Sequence, residues 1–194
     1  MKTLKCVLAL LAFVGLMLVG CSDEIQSPVS STEQSSLQKV IITNFTFTNF
    51  PIAPPTGGTI TLTPGGIWQV KKIEVLERFV SSDPFVNGIM KHYLSLSIDA
   101  VTGEGPCHGS WTLTPLNPTA TGGGVWEGEY EGYRSKASVP GEWTLPLKVV
   151  GHGKGGSIQG IQVFANAVLT VRADGGTTLP TSWTGVGEGF YKSH

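Results

Sequence analysis

The chain has 194 residues, with 13 Lys or Arg against 14 Asp or Glu and a formal net charge of −1. That balance offers no basic surface for a nucleic-acid backbone, so DNA and RNA are excluded as partners. Glycine stands out at 26 of 194 residues, about twice its average share of ~7%.

Residues 1–20 have the anatomy of an export signal. Lys2 and Lys5 precede an apolar run from Cys6 to Met17, which is short for a membrane span. The run closes on Leu18-Val19-Gly20-Cys21, which resembles the lipobox of bacterial lipoproteins. The resemblance implies cleavage before Cys21 and lipidation of its sulfur. The expected location is the cell envelope, with the chain anchored to a membrane on its non-cytoplasmic side by acyl chains. Residues 21–38 continue as a stretch rich in Ser, Gln and Glu with no hydrophobic period, a composition that does not sustain a core. They are expected to form a tether, spanning on the order of 20 to 25 Å as a flexible coil.

Residues 39–194 are expected to form a single domain. Apolar residues there recur with period two between clusters of Gly, Pro, Asn and Asp, the pattern of strands joined by tight turns. The predicted strands are 39–48, 59–63, 67–80, 88–101, 107–114, 124–134, 143–152, 158–172 and 183–191, with no amphipathic helix between them. This succession predicts an all-β fold of antiparallel hairpins, a sandwich or a barrel, and closure into a barrel would remove exposed edges.

Two stretches sharpen that expectation. In "VWEGEYEGYR" (125–134), Trp126, Gly128, Tyr130 and Gly132 share one face and Glu127, Glu129 and Glu131 the other. In "TGVGEGFY" (184–191), Gly185, Gly187 and Gly189 share a face. Glycine weakens a strand interior, so its regular use beside large rings implies that the rings fill space other side chains vacate.

The order "GSWTLTP" (109–115), "GGVWEGEYEGYR" (123–134) and "VVGHGKGGSIQGIQV" (149–163) resembles secreted bacterial proteins of the allene oxide cyclase and dirigent barrel type. The resemblance covers residues 88–191 and implies an eight-stranded antiparallel β-barrel, a lumen for a small apolar molecule and association into trimers. No functional residue of the plant members matches a position here, so their isomerase activity does not carry over residue by residue.

The remaining motifs are weaker as chemistry. Gly151, Gly153 and Gly156 fit the glycine spacing of a dinucleotide loop, but that mechanism needs a helix N-terminus facing the phosphates. The next segment alternates Ile161, Val163, Ala165, Ala167, Leu169 and Val171 and reads as a strand, leaving a glycine-rich hairpin or bulge. Glu127, Glu129 and Glu131 read as a solvated face. Cys107 and His108 on one strand project to opposite faces, which leaves Cys107 as a small core residue. The histidines 92, 108, 152 and 194 show no metal-ligand spacing, and neither a cofactor nor a catalytic residue is expected from sequence. His92 shares the apolar face of its strand with Met90, Leu94, Leu96 and Ile98. Together with Trp111, Trp126 and Tyr130 it is expected to line a lumen. Three functions then compete: binding of a small apolar ligand, isomerase or cyclase chemistry in the same cavity, and a structural or protein-interaction role at the envelope. The volume inside the barrel separates them.

Overall fold

The computed structural model describes residues 39–172 and 182–193; the predicted signal, lipidation site and tether lie outside them. Nine strands form one antiparallel sheet: β1 (Ile41–Pro51), β2 (Thr59–Leu62), β3 (Ile67–Ser81), β4 (Gly88–Asp99), β5 (Gly105–Pro115), β6 (Val125–Lys136), β7 (Glu142–Lys154), β8 (Gln162–Arg172) and β9 (Ser182–Ser193). Each of β3 to β9 pairs with its neighbour in sequence, and β1 pairs with both β9 and β3. An eight-stranded closed barrel results: of the sandwich and the barrel that the strand pattern left open, it is the barrel, with the strand number that the resemblance implies.

β3 is long enough to take two partners along one edge. Its second half meets β1, from Glu77 opposite Pro51 to Ser81 opposite Phe47. Its first half meets the short β2, from Trp68 opposite Leu62 to Lys71 opposite Thr59. β2 thus satisfies backbone groups of β3 that β1 does not reach, and the free edge passes to this short strand.

The alternation read from sequence holds on β4, β6 and β9. Rings turned inward lie over glycines. Phe45, Phe47 and Asn49 stand opposite Gly189, Gly187 and Gly185 across the β1–β9 pair. A Cβ on Gly187 would come within 2.4 Å of the Phe47 ring, and one on Gly189 within 2.6 Å of the Phe45 ring. The Trp111 ring crosses to β7, where a Cβ on Gly151 would meet it at 2.5 Å. Gly151 and Gly153 are therefore strand residues that admit core side chains. The turn begins only after Lys154, with Gly155 and Gly156 at positive φ.

The predicted strand 158–172 starts later, at Gln162. Gly156–Ile158 instead form a short 3₁₀ turn that drives Ile158 fully inside. A matching 3₁₀ turn, Pro84–Val86, is capped by Asp83, whose carboxylate accepts from the Phe85 amide at 2.8 Å. It buries Val86. Both turns come after strands that end on the same side of the barrel, and together they plug that end.

Candidate functional site

The lumen is not packed solid. A cavity of about 100 Å³ runs between the walls, bordered almost wholly by apolar side chains from Phe45 near the plugged end to Leu145 near the other. A dry apolar cavity of comparable size, about 150 Å³, is known to hold a benzene-sized guest.

One side chain on this wall breaks the apolar pattern decisively. Glu77 is 1% exposed, and a local irregularity in β3 is what turns it inward. Val70 faces the core, but the register shifts between Val70 and Ile73. Lys72 there adopts φ +54°, the left-handed region. The bulge adds one residue and inverts the parity of the rest of the strand. Ile73, Val75, Glu77 and Phe79 point inward, where an unbulged strand would send Leu76 in and Glu77 out.

A buried carboxylate must be paired and hydrogen-bonded. Glu77 Oε1 accepts from the Trp183 indole N–H. Its Oε2 accepts from Asn49 Nδ2 at 2.7 Å. The Asn49 amide fits only because residue 185 is glycine: a Cβ there would lie 1.9 Å from Asn49 Oδ1. His92 Nε2 lies 3.6 Å from Glu77 Oε2, beyond hydrogen-bonding reach. Burial alone pushes the Glu77 carboxyl up, but His92, Trp183 and Asn49 together outweigh it and hold the group below its ordinary value. Glu77 is thus an interior anion at neutral pH.

On its other side, His92 Nδ1 lies 2.9 Å from the Tyr130 hydroxyl. Burial, with Cys107 and Glu77 nearby, pushes the Tyr130 phenol well above its ordinary value, so it keeps its proton. Gly109 makes room for that hydroxyl, since a Cβ there would come within 2.4 Å of it. A chain of polar groups runs Tyr130, His92, Glu77, with Asn49 and Trp183 behind the carboxylate.

All four lumen residues expected from sequence border the cavity. Trp111 stands opposite His92 across the β4–β5 pair. Tyr130 joins His92 directly. Trp126 belongs to the plugged end, where its indole N–H donates to the Phe85 carbonyl at 2.8 Å and its ring meets Tyr191 at 5.8 Å. The sequence reading missed Glu77, Asn49 and Arg134. For Glu77 a signal existed: it is the lone charge among the odd positions Ile73, Val75 and Phe79, legible once the bulge at Lys72 is placed. Arg134 is buried on the inward parity of β6, with its guanidinium 4.3 Å over the Trp143 ring. Burial lowers its pKa, yet an arginine stays protonated.

The other sequence motifs lie apart from this cluster. Glu129 and Glu131 are exposed on the outer wall, and the half-exposed Glu127 pairs with Lys154 at 3.2 Å. Cys107 is buried while His108 faces solvent. Burial raises the Cys107 thiol to about 11, which removes it as a nucleophile at neutral pH. Among the described residues no group of three or more His, Cys, Asp or Glu is placed to hold a metal ion. No protein-family model, curated protein or solved structure matches the chain.

Proposed function

We propose that the barrel binds a small, largely apolar molecule in its lumen, held at one side by the Tyr130–His92–Glu77 chain. The observation that carries this reading is an apolar cavity of about 100 Å³ into which a few fixed polar groups converge, the usual make-up of a small-molecule site. Sites for drug-sized ligands typically measure about 300–1,000 Å³, so the guest is smaller than that class. Trp111, Trp126 and Trp183 border the cavity and report on occupancy. Titrating the protein with toluene while monitoring tryptophan emission should give a saturable change. A flat response, with no shift in melting temperature, overturns the reading.

A second reading, isomerase or cyclase chemistry of the allene oxide cyclase type, is favoured by one specific feature: an ionised carboxylate and an imidazole beside the cavity. General acid–base catalysis needs such groups within reach of the reacting atom. The test is turnover of a small unsaturated epoxide by the native protein against Glu77→Gln and His92→Phe. Equal rates in all three would remove it. A purely structural role is the least supported of the three functions, because the interior keeps a cavity of about 100 Å³.

Anchoring at the cell envelope through lipid on Cys21 rests on Leu18-Val19-Gly20-Cys21 and predicts an acylated N-terminal peptide by mass spectrometry. Self-association is supported by apolar side chains on the outer wall, and the trimer in particular rests on the family resemblance. Val150, Val168 and Val186 are exposed, beside the stacked Phe164–Phe190 pair. A monomer mass in sedimentation would refute it.

A further inference from the structure

We infer that His92 Nε2 and Glu77 Oε2 together receive a neutral hydroxyl group, so that the lumen's ligand class is a small apolar alcohol rather than an acid, an amine or a bare hydrocarbon. The inference rests on the lumen-binding reading and adds the polar group the site selects.

A buried phenol needs an acceptor for its O–H, and the one beside Tyr130 is His92 Nδ1, 2.9 Å away. Donation from Tyr130 to Nδ1 leaves Nε2 as the ring nitrogen that carries a proton. That N–H then faces Glu77 Oε2 across 3.6 Å without a hydrogen-bond partner in the protein, although His92 is only 6% exposed. A buried donor held 3.6 Å from its nearest acceptor is too far for a normal hydrogen bond and recovers only part of the hydration it has lost.

The space between the two groups has a definite polarity. On one side stands a donor, Nε2–H. On the other stands a carboxylate with lone pairs to spare, since an ionised carboxylate accepts at about four positions and two donors, Asn49 and Trp183, are in place. An oxygen placed off the line between them, roughly 2.8 Å from each, accepts from His92 and donates to Glu77. A hydroxyl meets both demands with one atom.

The alternatives each fail at one side. A ligand carboxylate at this point meets the Glu77 anion and is repelled by it. An ammonium can donate to Glu77 but leaves the Nε2 proton without an acceptor. A hydrocarbon fills the cavity and leaves both groups as they are. The remaining border, Leu94, Val75 and Met90 among others, is apolar, so the hydroxyl must sit on a hydrocarbon body.

The test uses four ring compounds of nearly equal size: benzyl alcohol, toluene, benzoate and benzylamine, titrated into the native protein near neutral pH and read by tryptophan emission. Benzyl alcohol should bind at least about tenfold tighter than toluene, the ratio expected for a hydrogen bond to a charged group. Benzoate and benzylamine should bind more weakly than benzyl alcohol. In His92→Phe the alcohol's advantage over toluene should shrink to about twofold or less. As a readout independent of that variant's folding, the His92 ¹⁵Nε2 resonance of the native protein should shift with benzyl alcohol and stay in place with toluene. Toluene binding as tightly as the alcohol, tighter binding of benzoate or benzylamine, a preference that survives in His92→Phe, or an unmoved ¹⁵Nε2 signal would each overturn this inference while lumen binding stands. Failure of all four compounds to bind overturns lumen binding itself, and this inference with it.

Discussion

Gly185→Ala should destabilise the protein by about 1.5 to 5.5 kcal/mol, although it adds one methyl group to a strand. A Cβ at position 185 would lie 1.9 Å from Asn49 Oδ1 and 2.8 Å from its Cγ. Asn49 has nowhere to go without cost: its side chain is buried and its Nδ2 is committed to Glu77 Oε2 at 2.7 Å. Overpacking of a core costs about 1–3 kcal/mol, and losing a hydrogen bond to a buried charge about 1.5–3 kcal/mol. Against these stands a gain of about 0.4–1 kcal/mol from the stiffer unfolded chain when alanine replaces glycine. The difference gives the predicted range.

Urea unfolding monitored by tryptophan emission measures the loss, and a double-mutant cycle assigns it. The three atoms nearest the added Cβ all belong to Asn49, so in an Asn49→Ala background Gly185→Ala should cost less than about 0.5 kcal/mol or even stabilise. A cost below about 0.5 kcal/mol in the native background, or one that persists undiminished without the Asn49 side chain, refutes the reasoning.

The same geometry predicts three further outcomes. Glu77 has its folded-state pKa below the ordinary value, so it contributes stability above its unfolded pKa that is lost as pH falls through the folded one. Glu77→Gln should therefore lower stability at neutral pH by about 2 kcal/mol or more and flatten the acid limb of a melting temperature–pH profile; parallel acid limbs would contradict this. Lys72, held at φ +54°, should accept glycine with a stability change between about zero and +1 kcal/mol in chemical denaturation, because a side chain in the left-handed region costs about 1–2 kcal/mol and glycine's entropy offsets part of that. Cys107, with its thiol raised to about 11 and its side chain buried, should resist iodoacetamide near pH 8 in the folded protein and react once urea unfolds it, as read by peptide mass spectrometry.

The strand pattern was legible in the sequence because burial on one face imposes period two, and residues such as His92, Leu96 and Ile98 obey it without interruption. Glycines 185, 187 and 189 announced that large groups press on that face. The sequence did not say that the groups are Asn49, Phe47 and Phe45, since their approach depends on which strand closes the barrel. The lumen residues Trp111, Trp126, Tyr130 and His92 were accessible to the same parity argument. Glu77 yields to that argument only with the bulge in place, because the count from Val70 is broken by one extra residue at Lys72.

Local chemistry thus determined the class of fold: alternation, turn residues and glycine placement are properties of short stretches, and they specify antiparallel strands wherever those stretches meet. The interior charge cluster belongs to another scale. Glu77 is separated from Asn49 by 28 residues, and Trp183 from Glu77 by 106. The β3–β4 pair sets the imidazole beside the carboxylate, and only closure of β1 onto β3 and β9 brings the two donors, Asn49 and Trp183, into the same low-dielectric space. There their hydrogen bonds are strong enough to keep a carboxylate charged, and the space beside them becomes a place for a ligand.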